Sequence, residues 1–183
     1  MKLKQAWWEG LVEKWEGCKV CPIGERAKRH VFGKGSLFAQ VAFIGEGPGR
    51  LEDMEGVPFI GAAGQLLNAA LEDAGRQPVA CFYTNLVACR PCDETGAPNR
   101  APSETEIRNC SDRLRDTVQV VSPKVVVLLG RVPQRALECA GWMNAYRVFH
   151  LEHPAFILRT GGKGSERYRA YVKKLRGILR EAS

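Results

Sequence analysis

The chain has 183 residues and a net charge of +7, from 27 lysines and arginines against 20 aspartates and glutamates. Hydrophobic residues make up 45% of the sequence, and seven residues are cysteines. A chain of this length can bury a sufficient core without covalent staples, so the composition disfavours a disulfide framework, a disordered chain and a two-domain enzyme. No run approaches the roughly 20 apolar residues of a membrane span, and we expect a cytoplasmic protein with no membrane partner.

The hydrophobic pattern predicts alternating helices and strands. Trp8, Leu11, Val12 and Trp15 recur at helical spacing before Gly17, which indicates a short first helix. Short apolar runs predict buried strands at 41–44, 81–87, 125–129 and 148–151, and amphipathic patterns predict helices at 63–74, 103–121, 132–140 and 165–182. This alternation is typical of an α/β fold with a mostly parallel sheet covered on both faces. The basic face of the last helix indicates a solvated surface, with DNA contact as the alternative.

A glycine-rich turn follows the first of these strands. Gly45, Glu46, Gly47, Pro48 and Gly49 form a loop in which a ligand can approach backbone N–H groups closely. The loop does not match the dinucleotide-binding pattern, because arginine stands at position 50 in place of the third glycine. A ligand site and a plain tight turn both remain open, although α/β proteins bind ligands at the carboxyl ends of strands, where this turn lies.

Phe59 and His153 are further candidates for ligand contact. Phe59 stands at the centre of a second glycine-bounded loop, 56–61, where an aromatic ring is suited to stacking on a flat ligand; the alternative is a core position. His153 directly follows the last predicted strand and precedes a proline. It therefore lies at the same edge of the sheet as the glycine turn, so a site role and a structural role are both open.

The cysteines are a more specific signal. Cys18 and Cys21 form one C-x2-C pair, Cys89 and Cys92 form a second, and Cys110 follows. Two such pairs are typical of a four-thiolate site, and the spacing alone is compatible with structural zinc or with a [4Fe-4S] cluster. The alternative is a set of unrelated buried cysteines. Two others, one in a predicted strand and one in a predicted helix, are interpreted as packed small hydrophobes: Cys81 and Cys139.

Five short motifs follow one another along the chain: 45–49 with Glu52 and Asp53; 56–67; Thr84 and Asn85 with 89–91; Asn99, Arg100 and Pro102; and His153, Pro154, Leu158 and Arg159. In this order, and together with the cysteines, they resemble the family 4 uracil-DNA glycosylases, the iron-sulfur branch of that superfamily. The resemblance runs from about residue 18 to residue 159. It implies a three-layer αβα sandwich around a short, mostly parallel four-stranded sheet, forming a single domain over 1–183 with an N-terminal cluster-binding arm.

The resemblance implies an enzyme that flips uracil out of DNA and hydrolyses its N-glycosidic bond, leaving an abasic site for base excision repair. Negative charge grows on uracil as the bond breaks, so stabilising this leaving anion is the main catalytic task. By the same resemblance Phe59 stacks on the base, Asn85 reads its O4 and N3 edge, and His153 donates to O2. Glu46 would place the water or support the sugar cation. The backbone expected to contact the substrate is that of Gly45, Gly47, Pro48 and Gly49.

The cofactor and DNA contacts implied by the resemblance involve other residues. A structural [4Fe-4S] cluster would be held by Cys18, Cys21, Cys89 and Cys110. Asn99 would contact the water or the DNA, and Arg90, Arg100 and Arg159 would face the phosphate backbone. Ile157, Leu158 or Arg159 would fill the gap left in the duplex, where an apolar wedge costs less than a charged one. The expected partner is uracil-containing DNA, single- or double-stranded, bound by a monomer.

The sequence departs from the family pattern at four places. Cys92 stands where proline is usual, which leaves open whether Cys92 or Cys110 is the fourth cluster ligand. Residues 93–98 form a small insertion, Ala155 replaces the usual serine, and the stretch between 137 and 153 is short. None of these departures removes a principal site residue.

Two other functions are alternatives. One is a non-turnover protein of the same superfamily that binds or cross-links uracil-DNA through a histidine in an inserted loop, but the insertion at 93–98 contains no histidine. The other is a metal-stapled nucleic-acid-binding module without catalysis, which the charge and the cysteine pairs would by themselves support.

Overall fold

The sheet is the centre of the fold. The computed structural model describes residues 2–138 and 140–182, so the prediction for Cys139 falls outside the described residues. The strands are β1 (Lys34–Gly35), β2 (Val41–Gly45), β3 (Phe82–Asn85), β4 (Val125–Leu129) and β5 (Arg147–Leu151), in the spatial order β1-β3-β2-β4-β5. Strands β2 to β5 are parallel to one another, and β1 at the edge is antiparallel to β3. The four predicted strands and the mostly parallel sheet are confirmed. The sheet also has a fifth strand, β1, which was not predicted because its two residues are too few to give a pattern in the sequence.

The helices of the described residues alternate with the strands. They are α1 (Lys2–Trp15), α2 (Pro22–Arg26), α3 (Arg50–Glu55), α4 (Ala62–Asp73), α5 (Glu104–Val121), α6 (Arg131–Leu137), α7 (Pro154–Arg159) and α8 (Glu166–Arg180), with 3-10 turns at Pro78–Ala80, Gly141–Ala145 and Gly162–Gly164. None of these helices has the length and the apolar character needed to cross a membrane. Helix α5 begins at a capping box, in which the Ser103 hydroxyl accepts from the N–H of Glu106 and the Glu106 carboxylate accepts from the N–H of Ser103.

Alternate residues of β4 point to opposite faces of the sheet and define two cores. Val125 and Val127 pack with α4 and α8 on one face, whereas Val126 and Leu128 pack with α5 and α6 on the other. Every residue of β4 is buried because both faces are covered. The three-layer arrangement expected from the sequence is therefore present.

The N-terminal arm is anchored to α5 before it reaches the first cysteine pair. Helix α1 is longer than the sequence predicts, and its Leu11 packs with Phe32 and Ala88. The Lys14 ammonium forms an ion pair with Asp116 of α5 at 2.8 Å. The arm therefore approaches the loop after β3 from one side of the sheet, and this approach sets the position of Cys18 and Cys21.

Candidate active site

The candidate site lies where the parallel strands end. A cavity of ≈ 260 Å³ opens at this edge of the sheet. Its lining includes six of the predicted site residues: Gly47, Gly49, Phe59, Asn85, Asn99 and His153. They come from all five motifs of the sequence. Three of these motifs lie at the carboxyl ends of β2, β3 and β5, which the parallel topology brings to one edge of the sheet.

Gly45 brings two of these side chains together. It pairs with Asn85 in the sheet, and a Cβ added at Gly45 would lie 2.5 Å from Oδ1 of Asn85 and 2.8 Å from the Phe59 ring carbon Cζ. Any larger residue at Gly45 would displace the Asn85 amide or the Phe59 ring. The absence of a side chain at the end of β2 is therefore what lets a flat ring and an amide share one corner of the cavity.

Phe59 is held in an unusual backbone conformation. Its φ is 55°, in the left-handed region that residues with a Cβ rarely occupy, and such strain persists only where surrounding contacts impose it. Two contacts do so here. The Lys34 ammonium donates a hydrogen bond to the Phe59 carbonyl at 3.0 Å, and the backbone of Gly64 lies so close to that carbonyl that a Cβ would not fit. The Phe59 ring also packs against Tyr83, with centroids 5.7 Å apart.

Glu52 is a cavity residue for which the sequence predicted no role. Its Oε1 accepts hydrogen bonds from the N–H groups of Ile60 at 3.1 Å and Gly61 at 2.9 Å, and its Oε2 lies against Gly49. The carboxylate therefore ties the glycine turn to the loop that carries Phe59. The sequence offered one signal for this role, since Glu52 is an acidic residue in the first turn of the helix that follows the glycine turn.

Asn99 lines the cavity, and both ends of its amide have protein partners. Its Nδ2 donates to the carbonyl of Pro48 at 3.0 Å, and its Oδ1 accepts from Nε of Arg90 at 2.6 Å. Arg90 is buried and also donates to Ala97. The expectation that Arg90 faces a phosphate backbone is therefore wrong, because its guanidinium is used inside the protein to hold the insertion at 93–98 against the glycine turn.

Glu46 and His153 meet across Gly130. A Cβ at Gly130, which follows β4 with a φ of 94°, would lie 3.2 Å from Cβ of His153 and 3.5 Å from Oε1 of Glu46. Glu46 follows β2 and His153 follows β5, so the ends of three strands converge here. Burial raises the pKa of the Glu46 carboxyl above its ordinary value, which makes its carboxylate a better proton acceptor than an exposed one.

The ring of His153 is set in one tautomer. Its Nδ1 accepts a hydrogen bond from the N–H of Ala155 at 3.2 Å, which leaves the ring proton on Nε2. Burial lowers the pKa of His153, and the nearby Arg159 lowers it further. At neutral pH the ring is therefore an uncharged donor through Nε2, at the edge of the cavity.

The segment after His153 is a helix, which changes the prediction for the residue that enters the duplex. Ile157 is 0% exposed and packs in the core with α4 and α8, so the structure contradicts a duplex-entering role for it. Leu158 and Arg159 are exposed, as is Phe156, whose ring lies 4.8 Å from the guanidinium of Arg167. The helical turn explains the difference, because it sends residue 157 inward and its neighbours outward.

Arg100 is compensated by two carboxylates. Its guanidinium pairs with Glu106 at 2.7 Å and with Asp93 at 2.6 Å. These contacts hold the pKa of Glu106 below its ordinary value, and Arg100 is the first of the causes. Arg100 thus joins the insertion to the start of α5, and contact with DNA remains a prediction for it.

Four cysteines line a second, largely apolar cavity on the other side of the loop after β3: Cys18, Cys21, Cys89 and Cys110. Cys92 is buried and does not belong to this lining. Burial, and then the neighbouring Cys110, Cys21 and Cys18, together raise the pKa of Cys89 to about 12. The four thiols are therefore close enough to influence one another, and Cys110 rather than Cys92 completes the set.

Four thiols line this cavity together and are potential ligands of a metal group. Within residues 2–138 and 140–182, no three His, Cys, Asp or Glu side chains are grouped as ligands of a single metal ion. The four thiols instead surround an apolar space, and an iron-sulfur cluster distributes its four thiolate bonds over several irons. Four thiols in one lining fit a group that is held by thiolates, and a [4Fe-4S] cluster and a structural zinc ion are both of this kind.

Comparison with known proteins shows the family of this chain. Residues 32–176 match the model of the uracil DNA glycosylase superfamily. A type-4 uracil-DNA glycosylase of Archaeoglobus fulgidus is 31% identical over 169 residues, which cover 82% of each chain, and one of Thermotoga maritima is 30% identical over 83% of each. One of Sulfurisphaera tokodaii is 40% identical over 67% of this chain and 54% of its own.

Proposed function

Because the chain belongs to the uracil-DNA glycosylase superfamily and is related over most of its length to type-4 members, we propose that it hydrolyses the N-glycosidic bond of deoxyuridine in DNA. The product is free uracil and an abasic site, the first step of base excision repair. The observation that carries this proposal is the shared corner at Gly45, where the Asn85 amide and the Phe59 ring meet in a cavity that also contains His153.

Recognition of the base is assigned to Phe59 and Asn85. The ring of Phe59 offers a flat face on which an extruded pyrimidine can stack. The amide of Asn85, only 3% exposed, offers a donor and an acceptor to the O4 and N3–H edge of uracil. Cytosine presents the opposite pattern on that edge, so an amide with its oxygen toward N3 and its NH2 toward O4 discriminates between the two bases.

Stabilisation of the leaving base is assigned to His153. As the bond between N1 and C1′ breaks, its electron pair leaves with uracil, and negative charge accumulates on O2. An uncharged His153 with its proton on Nε2 can donate to that oxygen without being protonated first. The hydrogen bond from Ala155 prevents the other tautomer, which would present an acceptor where a donor is needed.

Addition of water to the sugar is assigned to the glycine turn and Glu46. The oxygen of the water bonds to C1′, and its proton passes to a carboxylate or to solvent. Glu46 has the raised pKa of a proton acceptor and lies beside His153 across Gly130. Its negative charge also favours the sugar cation that forms as the base leaves.

A [4Fe-4S] cluster is proposed for the cysteine cavity, held by Cys18, Cys21, Cys89 and Cys110. When bound, it would supply covalent links between the N-terminal arm, the loop after β3 and helix α5, and no redox role is assigned to it. The protein residues around it order the loop that continues to Asn99. The exposed residues of α7, which directly follows His153, are the proposed contacts to the DNA strand.

Release of uracil from a uracil-containing oligonucleotide tests the proposal. The cluster-loaded wild type should release the free base from single- or double-stranded DNA, whereas Asn85→Ala and His153→Ala should be slower by about 100-fold or more. A folded, cluster-loaded wild type that releases no uracil from either substrate overturns the function.

A further inference from the structure

Arg113, in the middle of α5, has an unusual environment. Its side chain is 1% exposed, and its guanidinium reaches across to the end of β3. There it donates to Thr84 Oγ1 at 3.1 Å and to the carbonyls of Asn85 and Leu86, both at 2.8 Å. The Nη2 atom, which donates to both carbonyls, also lies 3.5 Å from Sγ of Cys110.

The charge of Arg113 is not balanced by a carboxylate. No acidic side chain of the described residues forms an ion pair with it, and its Nε is buried without a hydrogen-bond partner. Glu106, the one carboxylate in the lining of the cysteine cavity, is already paired with Arg100. A buried guanidinium without a counter-charge is costly, so this one needs a negative partner from another source.

The cysteine cavity can supply that partner. Arg113 is the one lysine or arginine in its lining, alongside four cysteines. Thiols bind metals as thiolates, so the site becomes negative when it is loaded. The guanidinium then stands between a negative site on one side and the backbone of Asn85 on the other.

We propose that Arg113 is a positioning residue that couples the cysteine cavity to the base-reading end of β3. It compensates the thiolates through the hydrogen bond to Cys110, and the same guanidinium fixes the main chain on which the Asn85 amide is mounted. This inference rests on the proposed function for the role of Asn85 and on the proposed cluster for the negative charge. By this inference the cysteine site is linked to the base-reading Asn85 through the single side chain of Arg113.

The fork of the guanidinium is essential to this role. The planar group donates through Nη1 to the hydroxyl, and the two N–H bonds of Nη2 are shared among the two carbonyls and the sulfur. An ammonium on a flexible stem cannot reproduce these fixed directions. Lysine at this position would keep the positive charge but lose the simultaneous contacts. The two parts of the role, charge compensation and positioning, are therefore separable by substitution.

The test compares Arg113→Lys and Arg113→Met in the cluster-loaded protein, with Arg115→Met as control. Arg115 is two residues away on the same helix and pairs on the surface with Asp112 at 3.0 Å. The rate of iron release to a chelator measures how firmly the cavity holds the cluster. Fluorescence anisotropy measures the affinity for an oligonucleotide with 2′-fluoro-2′-deoxyuridine, which resists cleavage, and for its thymidine counterpart. The ratio of the two affinities reports on base recognition without turnover.

Arg113→Met should release iron to the chelator about tenfold to a hundredfold faster, and its uracil-specific affinity should fall by a similar factor. Arg115→Met should match the wild type in both measurements. Arg113→Lys should keep iron nearly as the wild type does and still lose uracil-specific affinity, and this variant alone suffices if Arg113→Met does not fold. Unchanged uracil-specific affinity in Arg113→Lys, or in a folded Arg113→Met, overturns the inference. A wild type that retains iron but releases no uracil overturns the proposed function instead, and iron release from Arg113→Met still tests the compensation of the thiolates.

Discussion

The N–H of Ala155 donates a hydrogen bond to Nδ1 of His153 across 3.2 Å. Both residues belong to the start of α7, where His153 is the residue that caps the helix. This one contact therefore gives a partner to an N–H group that has none within the helix, and it leaves the ring proton of His153 on Nε2. Because backbone supplies this contact, the serine that usually follows the His-Pro pair is not needed to fix the tautomer.

The excision rate should fall only when the pH approaches the pKa of His153, which burial places below 6.5, the ordinary value for histidine. Protonation places a second proton on Nδ1, directly against the N–H of Ala155, so the capping contact is lost. Single-turnover rates across mildly acidic to neutral pH measure the effect, and His153→Asn should lose this part of the profile. An acid limb that survives in His153→Asn belongs to another group such as Glu46. A rate that rises on acidification would show that the imidazolium is the active form.

Gly45→Ala should lower the rate of excision by about 100-fold, because a displacement of about 1 Å at reacting groups has that effect. The added methyl would lie 2.5 Å from Oδ1 of Asn85 and must move the amide or the ring of Phe59. Gly177→Ala is the matched control, since it lies in α8 and its Cβ would meet nothing within 4 Å. That substitution should keep full activity and stabilise the fold by roughly 0.5–1 kcal/mol. Equal activities of the two variants would refute the close approach at Gly45.

Lys34→Met should weaken substrate binding more than it slows the chemical step. The ammonium holds the carbonyl of Phe59, and a hydrogen bond of this kind contributes about 1 kcal/mol, equivalent to roughly tenfold or less in KM. Lys173→Met, an exposed lysine on α8, controls for the lost charge. Steady-state kinetics on a uracil-containing oligonucleotide separate KM from kcat. A matching rise in KM for both lysine variants would assign the effect to general DNA attraction rather than to Phe59.

Strands and helices with a regular pattern of apolar residues could be predicted from the sequence. Features that depend on a single contact could not. Apolar runs locate β2 to β5 because burial on both faces requires them, whereas β1 has only Lys34 and Gly35 to reveal it. Ile157 was one of three candidates for the residue that enters the duplex, and its motif is too short to show the helix that turns it inward. Six residues of α7 are less than two full turns.

The candidate site shows the same division. Motif order brought six predicted residues to one cavity, since parallel strands deliver their carboxyl ends to one edge. The side chains that hold those residues in place follow no pattern in the sequence. Lys34 and Arg113 donate hydrogen bonds to the carbonyls of Phe59 and Asn85, and Glu52 accepts from the loop that carries Phe59. Each is one polar side chain whose backbone partner lies beyond the next turn of the chain, from eight residues away for Glu52 to 28 for Arg113. No repeating pattern of residues encodes such a contact.

Cys110→Ser should lose bound iron, whereas Cys92→Ser should retain it. Cys110 lines the cavity shared with Cys18, Cys21 and Cys89, and Cys92 lies outside that lining. The two substitutions make the same chemical change in two buried or half-buried cysteines, so each controls for the other. Iron and acid-labile sulfide, measured on protein purified without oxygen, give the result. Zinc in stoichiometric amount without iron would contradict the cluster, and iron loss from Cys92→Ser would contradict the ligand set.

Leu158→Ala and Ile157→Ala should separate contact with DNA from stability of the fold. Ile157 is fully buried among α4 and α8, so its truncation should destabilise the protein by about 2–4 kcal/mol, measured by denaturant unfolding. Leu158 is exposed beside the site, so its truncation should leave unfolding unchanged and slow excision from double-stranded DNA more than from single-stranded DNA, where no stack has to be refilled. The ratio of the two rates is the decisive quantity, because a general loss of activity cancels in it. If Leu158→Ala leaves that ratio unchanged, the exposed ring of Phe156 becomes the residue to test as the wedge, since it is the other large apolar side chain on the outward face of α7.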